Sequence, residues 1–258
     1  MNTDRITQNI AQRFSHMGEA IFFLGSIVKV IFRGRVRWSE VLGQMYEQGV
    51  QSIVIVMLTS LASGLVLGLQ GFVTLQRFSA QELVARMVAL SLVRELGPVF
   101  TALIFSGKAG GGTAAELGTM STNEQIQATR VMGVDPIELL VVPRFLACVL
   151  VLPVLVIISD FVGIAGGYIV AITQAKIPGA FYIRETMHAI GYVDFFSGLI
   201  KVFFFSIIIA WICCYQGFFT TGGSSGVGRF TTRAVAYSYI GVILSDVVLT
   251  KIILTFWG

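Results

Sequence analysis

Two short motifs could carry enzymatic chemistry, and neither has the context that its chemistry requires. Residues 222–226 match G-x-S-x-G, the pattern of a nucleophilic serine, which needs a strand-to-helix turn with a histidine and an acid within reach. Here the pattern lies in a glycine-rich link between apolar segments, and His16 and His188 are predicted on opposite sides of a membrane. Gly107-Lys108 is followed by Ala109, not by the Ser or Thr of a phosphate-binding loop. We therefore predict no catalytic or nucleotide-binding site in this chain.

The residues that could bind or gate a ligand are charged side chains inside apolar segments: Arg94, Glu95, Asp160, Lys201 and Asp246. A charge at the bilayer centre costs about 3 kcal/mol on insertion scales, so each should face an opposite charge or a polar cavity. One interpretation is a set of ion pairs, Glu95 or Asp246 with Arg94 or Lys201, that only holds the helices together. The other is a polar site for a charged headgroup, or a gate. The two interpretations are compatible.

Arg94 and Glu95 are neighbours in sequence, but adjacent residues of a helix point about 100° apart, so they cannot simply pair with each other. Each needs another partner. Lys201 and Asp246 are the opposite charges available on neighbouring segments. We therefore expect Glu95 to pair with Lys201 and Arg94 with Asp246.

The elements that must position these side chains are membrane-spanning helices. Hydrophobic residues make up 55% of the chain and charged residues 12%, with a mean hydropathy of +0.82, whereas soluble domains carry about 25% charged residues. Spanning a bilayer takes roughly 20 apolar residues. Five such segments are predicted, at 50–73, 83–106, 145–172, 195–219 and 234–257. The predicted fold class is an all-α integral membrane protein. Its net charge of +4 lacks the clustered basic and aromatic pattern of a nucleic-acid surface.

A different kind of helix is predicted within residues 1–40, before the first span. Apolar residues recur there at steps of four and three, which is typical of an amphipathic helix lying in the membrane interface. They are Ile6, Ile10, Phe14, Met17, Ile21, Leu24, Val28 and Ile31. The alternative is a sixth span at 20–32, which is too short and contains Lys29. Most Lys and Arg residues flank the spans on the side of the N-terminus, so the positive-inside rule predicts a cytoplasmic N-terminus and, after five spans, an external C-terminus.

The segment 107–144, on the cytoplasmic side, is the most structured of the predicted connections. Gly110, Gly111 and Gly112 predict a flexible break after the second span. The spacing from Ser121 to Glu124 is that of a capping box, and Asp135-Pro136 predicts a second helix start. Two short helices joined at Gly133 are therefore expected. A surface loop whose sequence defines its own helix starts in this way favours a role in docking a partner.

The segment 89–99, ALSLVRELGPV, resembles the permeases of MlaE-type ABC lipid transporters, and so do AAELGTM at 114–120, MGVDP at 132–136 and TTR at 231–233. The likeness covers nearly the whole chain. It implies a homodimer in a bacterial inner membrane, with an elbow helix at 1–40 and a five-span bundle at 50–258 in each subunit. The implied partners are a cytoplasmic ABC ATPase, a periplasmic MCE-domain lipid-binding protein and often a STAS-domain protein. The ATPase binds the ATP and Mg²⁺, so no cofactor is expected in this chain. The implied cargo is phospholipid moved between inner and outer membranes, which maintains outer-membrane lipid asymmetry.

The resemblance also assigns roles to particular residues. The segment 107–144 becomes the coupling segment, with a coupling helix between spans two and three, and Glu116, Glu124, Arg130 and Asp135 are its candidate ATPase-coupling residues. The candidate lipid path joins one face of the first span to the charged residues, and its members are Leu67, Leu75, Phe78, Arg94, Glu95, Lys201 and Asp246. From the residues alone, that face of the first span could equally well pack against a neighbouring helix.

Two other classes of protein remain open at this point. One is a channel or secondary transporter that uses no ATPase, although secondary transporters commonly contain internal repeats and none is visible in this sequence. The other is a structural assembly subunit for lipid-binding proteins on the outer side. Co-purification of an ATPase distinguishes the first from an ABC permease, and lipid bound in the dimer interface distinguishes the second.

Overall fold

The computed structural model describes residues 3–34, 36–78 and 80–257, and the side chains of 3–17 and 257 lie outside this description. Among the described residues, five helices are long and apolar enough to cross a membrane. We call them spans 1 to 5: Trp38–Gln76, Gln81–Thr122, Ile137–Thr173, Tyr192–Phe218 and Gly223–Phe256. Three further helices are the N-terminal helix Thr3–Phe32, the 2–3 helix Gln125–Val131 and the 3–4 helix Gly179–Ala189. The predicted all-α, five-span architecture is confirmed.

The spans are mostly longer than the apolar segments that predicted them. Span 1 begins at Trp38, where the prediction began at residue 50, and span 2 continues to Thr122. Wider, π-helical turns lie within spans 1 and 2, at Tyr46–Val50, Leu92–Leu96 and Ser106–Gly110, and span 3 begins with another, Ile137–Val141. A helix satisfies its own backbone hydrogen bonds, and this is why the chain stays helical wherever lipid replaces water.

The predicted flexible break at residues 110–112 is wrong, because these three glycines lie inside the continuous helix of span 2. Two of them face close neighbours. A Cβ atom on Gly110 would lie 2.8 Å from the Cys213 sulfur of span 4, and one on Gly111 would lie 3.2 Å from Val235 of span 5. Glycine here brings three spans together and does not loosen the chain.

Spans 1 and 3 pack along each other through glycines at four-residue spacing, a pattern that allows close helix packing in membranes. A Cβ atom on Gly64 would lie within bonding distance of the Gly163 carbonyl oxygen, and one on Gly68 would lie 3.2 Å from the Gly167 Cα. Ser60 of span 1 adds a hydrogen bond to the Ser159 carbonyl of span 3. The two backbones are therefore in direct contact along this seam.

The N-terminal helix packs against the end of span 4, on a face adjacent to the predicted stripe. Among the described side chains of this helix, Phe23, Ile27 and Val30 are buried, and Trp211 of span 4 donates a 2.8 Å hydrogen bond to the Ala20 carbonyl. Of the stripe residues with described side chains, Leu24 and Ile31 lie partly against the core, whereas Ile21 (61% exposed) and Val28 face outward. The helix exists as predicted, and its interfacial placement stays a prediction.

The 3–4 helix is fixed to the bundle by Tyr182. This side chain is buried against Tyr168, and its hydroxyl donates a 3.3 Å hydrogen bond to the Ile164 carbonyl of span 3. Burial raises the pKa of Tyr182 to about 12. The phenol is therefore neutral throughout the physiological pH range.

Gly64→Ala is expected to destabilise the protein, because the new methyl group meets backbone of span 3 that cannot rotate away. Overpacking of this kind typically costs about 1–3 kcal/mol, which should lower the melting temperature of the purified protein and its abundance in the membrane. Gly43→Ala is the matched control on the same span, since a Cβ atom there has nothing within 4 Å. Equal stability of the two variants would contradict the proposed seam.

Candidate functional site

The side chain of Lys201 is the centre of a polar cluster between spans 2, 4 and 5. It is 2% exposed, although it carries a formal charge inside an apolar helix. Its ammonium group donates to Glu95 Oε2 of span 2 at 2.5 Å, to Thr250 Oγ1 of span 5 at 2.7 Å and to the Arg94 carbonyl of span 2 at 3.2 Å. An ammonium group has three N–H donors, and these three acceptors use all of them.

The local geometry of span 2 creates one of these acceptors. Pro98 has no N–H group, so the carbonyl of Arg94, four residues earlier, loses its usual helical donor. Arg94 lies in the π-helical turn Leu92–Leu96, and Lys201 supplies the donor that its carbonyl lacks. Gly198 allows the approach of span 4, because a Cβ atom there would lie 2.4 Å from the Val93 carbonyl oxygen. The Arg94 carbonyl freed by Pro98 and the ammonium group of Lys201 therefore satisfy each other.

Asp246 of span 5 joins the cluster through charge alone. Its Oδ1 lies 3.2 Å from the Lys201 nitrogen, yet this buried oxygen has no hydrogen-bond partner among the described residues. The Thr250 hydroxyl lies 3.4 Å from both carboxylate oxygens of Glu95 and can donate its own proton to either. Two carboxylates thus share one ammonium group, and only Glu95 receives a hydrogen bond from it.

The predicted partner of Glu95 is confirmed, and the predicted partner of Arg94 is wrong. Arg94 pairs with Asp194, with a distance of 2.5 Å between Arg94 Nε and Asp194 Oδ1. The second oxygen of Asp194 accepts a 2.9 Å hydrogen bond from the Gly191 N–H at the start of span 4. Sequence reasoning missed Asp194 because the predicted span began one residue later. Its position three residues after a glycine, typical of a helix start, was the available signal.

The fifth predicted charge, Asp160, does not join the cluster. It is buried in span 3 beside Gly97 of span 2, and its Oδ1 has no hydrogen-bond partner among the described residues. A Cβ atom on Gly97 would overlap this oxygen. The absence of a side chain at Gly97 therefore makes the space that the Asp160 carboxyl occupies.

An open depression of about 500 Å³ lies against the outer side of the cluster. Its lining combines charged, hydroxyl and apolar side chains, namely Glu95, Asp246, Val247, Thr250, Lys251, Leu254 and Thr255. Glu95 is partly exposed to it, whereas Lys201 is not. A ligand in this depression would meet carboxylates at its polar end and exposed aliphatic side chains along its wall.

The predicted lipid-path residues of span 1 occupy two different environments. Leu67 and Leu75 are partly buried against the start of span 2, whereas Phe78 is 75% exposed. They do not line the depression beside Lys201 within one chain. The two leucines therefore pack against a neighbouring helix within one chain, and their place in a lipid path stays a prediction. The Phe78 side chain faces the surroundings.

The segment between spans 2 and 3 contains one short helix, where two were predicted. Ser121 does not cap it, because its hydroxyl donates to the Phe218 and Thr220 carbonyls at the end of span 4. The 2–3 helix instead follows Glu124, which adopts a left-handed backbone conformation with φ of 60°. Gly133 is the joint after this helix, with φ of 77°. The helix start predicted at Asp135 is correct, since Asp135 Oδ1 accepts the Ile137 N–H at 2.9 Å, and this helix continues as span 3.

The four candidate coupling residues differ in their internal contacts. Glu116 forms a 3.2 Å ion pair with Arg144, which links the end of span 2 to the start of span 3. The guanidinium of Arg130 lies 5.9 Å from the centre of the Phe218 ring. Glu124 and Asp135 are exposed. Glu116 therefore has a role within the chain besides any contact with a partner.

These features define a class of protein: a multi-pass membrane protein whose spans converge on a buried ion cluster beside an open, amphipathic depression. Residues 41–252 match the model of the permease MlaE family, and the chain belongs to this family.

The chain is similar along most of its length to proteins of other organisms. The chain is 38% identical over 236 residues, 92% of this chain and 91% of the other, to a probable ABC transporter permease protein of Rickettsia felis. It is 37% identical over 240 residues, 93% and 92% of the two chains, to the intermembrane phospholipid transport system permease protein MlaE of Haemophilus influenzae. It is also 35% identical over 227 residues, 88% and 65% of the two chains, to the chloroplastic protein TRIGALACTOSYLDIACYLGLYCEROL 1 of Arabidopsis thaliana.

Lys201→Met is expected to destabilise the bundle, because it leaves the carboxylates of Glu95 and Asp246 without a counter-charge. Removing one member of a buried pair typically costs about 3–5 kcal/mol, measurable as a lower melting temperature and a lower amount of protein in the membrane. Glu95→Gln should cost less, since Lys201 keeps Asp246. Lys251→Met is the control, because Lys251 is exposed. A Lys201→Met protein as stable as this control would show that the cluster is energetically incidental.

Proposed function

We propose that this chain is the membrane permease subunit of an ABC transporter that moves phospholipid between the inner and outer membranes of a bacterium. The observation that carries the proposal is the match to the MlaE permease family over residues 41–252. The names of the relatives from Rickettsia felis and Haemophilus influenzae support an ABC permease and a phospholipid cargo respectively. The permease contributes the lipid path, and a separate cytoplasmic ATPase binds ATP and Mg²⁺.

The rest of the assembly follows from the same proposal. Two copies of the chain form a homodimer in the inner membrane, with the N-terminus in the cytoplasm and the C-terminus in the periplasm. An MCE-domain lipid-binding protein contacts the periplasmic side, and a STAS-domain protein is a further candidate partner on the cytoplasmic side. The transported lipid maintains the asymmetry of the outer membrane.

The 2–3 helix is the proposed docking element for the ATPase. It protrudes between two spans, and the residues at its end, Val131 (88% exposed) and Met132 (72% exposed), present apolar side chains to the surroundings. Such side chains at the tip of a rigid connection are suited to insertion into a groove of a partner. The turn at Gly133 ends this helix, and the Asp135 cap begins span 3 two residues later, so the connection on this side is short.

Val131→Glu is expected to uncouple the ATPase, because it places a charge at the centre of an apolar contact. Tagged wild-type protein purified from native membranes should carry a stoichiometric ATPase and bound phospholipid, identified by mass spectrometry. The variant should lose most of the ATPase at unchanged abundance. Val193→Glu, an exposed apolar position at the opposite end of the bundle, is the control and should retain it. Absence of any ATPase from the wild-type preparation would favour a channel or secondary transporter.

The homodimer gives the exposed face of span 5 a partner. Ile240, Leu244 and Val248 recur at four-residue spacing and are all exposed in the single chain, so they form one apolar stripe. The depression beside Lys201 lies on the same span. We propose that a second copy of the chain faces this side of span 5, so that two depressions and the exposed Phe78 side chains enclose the lipid path between the subunits.

A photoreactive amino acid at position 78 is expected to capture phospholipid in the assembled transporter, because Phe78 is exposed and is placed in the lipid path. The same substitution at Leu58 is the control, since Leu58 is equally apolar and exposed but is predicted to face the bilayer. Crosslinked lipid is quantified by mass spectrometry after extensive delipidation. Capture at position 78 no greater than at position 58 would contradict this lipid path.

A further inference from the structure

The side-chain amide of Gln48 is buried near the start of span 1, and its neighbours fix its orientation. Its Nε2 atom lies 3.4 Å from each of three oxygens: the Gln44 side-chain carbonyl, the Thr113 hydroxyl and the Arg144 main-chain carbonyl. Two of these are carbonyl oxygens, which only accept hydrogen bonds, so the nitrogen of the amide must face them. The Oε1 atom therefore lies on the other side of the amide. It is buried and receives no hydrogen bond from any residue that the structure describes.

A small cavity lies beside this amide, where four spans meet. Three polar side chains contribute to its wall: Gln48 of span 1, Thr113 of span 2 and Arg144 of span 3. The thiols of Cys148 on span 3 and of Cys213 and Cys214 on span 4 also line it. The centre of a water molecule can occupy about 10 Å³ of this cavity, which is room for one molecule.

The lining determines the chemistry of an occupant. The Gln48 oxygen lacks a donor, and a buried acceptor without one is unfavourable, so the occupant must carry an N–H or O–H group and cannot be a simple anion. A metal cation is disfavoured as well, because the His, Cys, Asp and Glu side chains in the described part of the chain form no group that could hold one. The occupant is therefore small, neutral and a hydrogen-bond donor.

Two further groups in the wall can donate to such a ligand. The Thr113 hydroxyl accepts from Gln48 Nε2, and its own proton goes to no residue among those described. The Arg144 guanidinium has five N–H groups, of which three are bound to Glu116 and to the Leu140 carbonyl. An occupant that gives one hydrogen bond and receives one or two satisfies all of these groups, as buried water molecules do.

We propose that the cavity binds one structural water molecule, which donates to Gln48 Oε1 and accepts from Thr113 and Arg144. These three side chains belong to spans 1, 2 and 3, and span 4 supplies the opposite wall, so the water connects elements that are distant in sequence. Thr113 and Arg144 also lie on the two spans that the 2–3 helix joins. The site therefore stabilises the base of that connection, and the inference does not depend on the identity of the cargo.

The test is X-ray radiolysis of the full-length protein in lipid nanodiscs, with oxidation products identified by mass spectrometry. A bound water molecule yields hydroxyl radicals that oxidise the nearest side chains, and thiols are among the most reactive. The wild-type protein should show dose-dependent oxidation of the three cavity cysteines, although all of them are buried. Tyr182, buried at the opposite end of the bundle, gives the background. Cysteine oxidation no greater than that of Tyr182, after correction for intrinsic reactivity, would overturn the proposal.

Two variants of span 1 test whether Gln48 holds the water. Gln48→Leu leaves the water without its acceptor, so oxidation of the cysteines should fall to the Tyr182 level. Gln51→Leu, at an exposed position less than one turn away, should leave it unchanged. Undiminished oxidation in a Gln48→Leu protein whose Tyr182 stays protected would also overturn the water site. Increased oxidation of Tyr182 would identify a misfolded variant, and the wild-type measurement then decides alone.

Discussion

The structure depends most on one buried ammonium group. Lys201 is almost fully enclosed by spans 2, 4 and 5, and in such surroundings its three N–H groups must all find acceptors. They find a carboxylate and a carbonyl on span 2 and a hydroxyl on span 5. These acceptors fix the depth and rotation of three helices relative to one another, which apolar packing against lipid would leave free.

The other spans hold this arrangement in place. Direct backbone contact between spans 1 and 3, through Gly64 and Gly163, makes a rigid pair, because small residues are what allow close helix packing in a membrane. Span 3 in turn carries Asp160 into the space beside Gly97, next to Pro98, whose missing N–H group frees the Arg94 carbonyl. The polar cluster, the Gly97-Pro98 segment of span 2 and the glycine seam are therefore parts of one framework.

Much of this framework could be predicted from the sequence, and the failures have physical causes. The five spans and the Glu95–Lys201 pair could be predicted, because placing unpaired polar groups in lipid costs a large free energy. The partner of Arg94 did not follow, because Asp194 lies at a helix end, where burial could not be inferred from hydropathy. Glycines 110–112 and the Ser121 hydroxyl were assigned local roles as breaker and cap. Gly110 and the Ser121 hydroxyl instead contact span 4, and Gly111 contacts span 5. These partners are distant in sequence, and only tertiary structure reveals such contacts.

The central claim is that the buried cluster serves transport as well as folding, and a neutral replacement of the whole cluster separates these roles. Exchanging a buried ion cluster for neutral side chains of similar size is often tolerated, unlike removal of one charge. The triple variant Glu95→Gln/Lys201→Met/Asp246→Asn should therefore fold and accumulate close to the wild-type level. The decisive measurement is ATP-driven phospholipid transfer by this variant, reconstituted with its ATPase in liposomes. We predict that transfer is lost although the variant is folded and bound to the ATPase; transfer at the wild-type rate would contradict the claim.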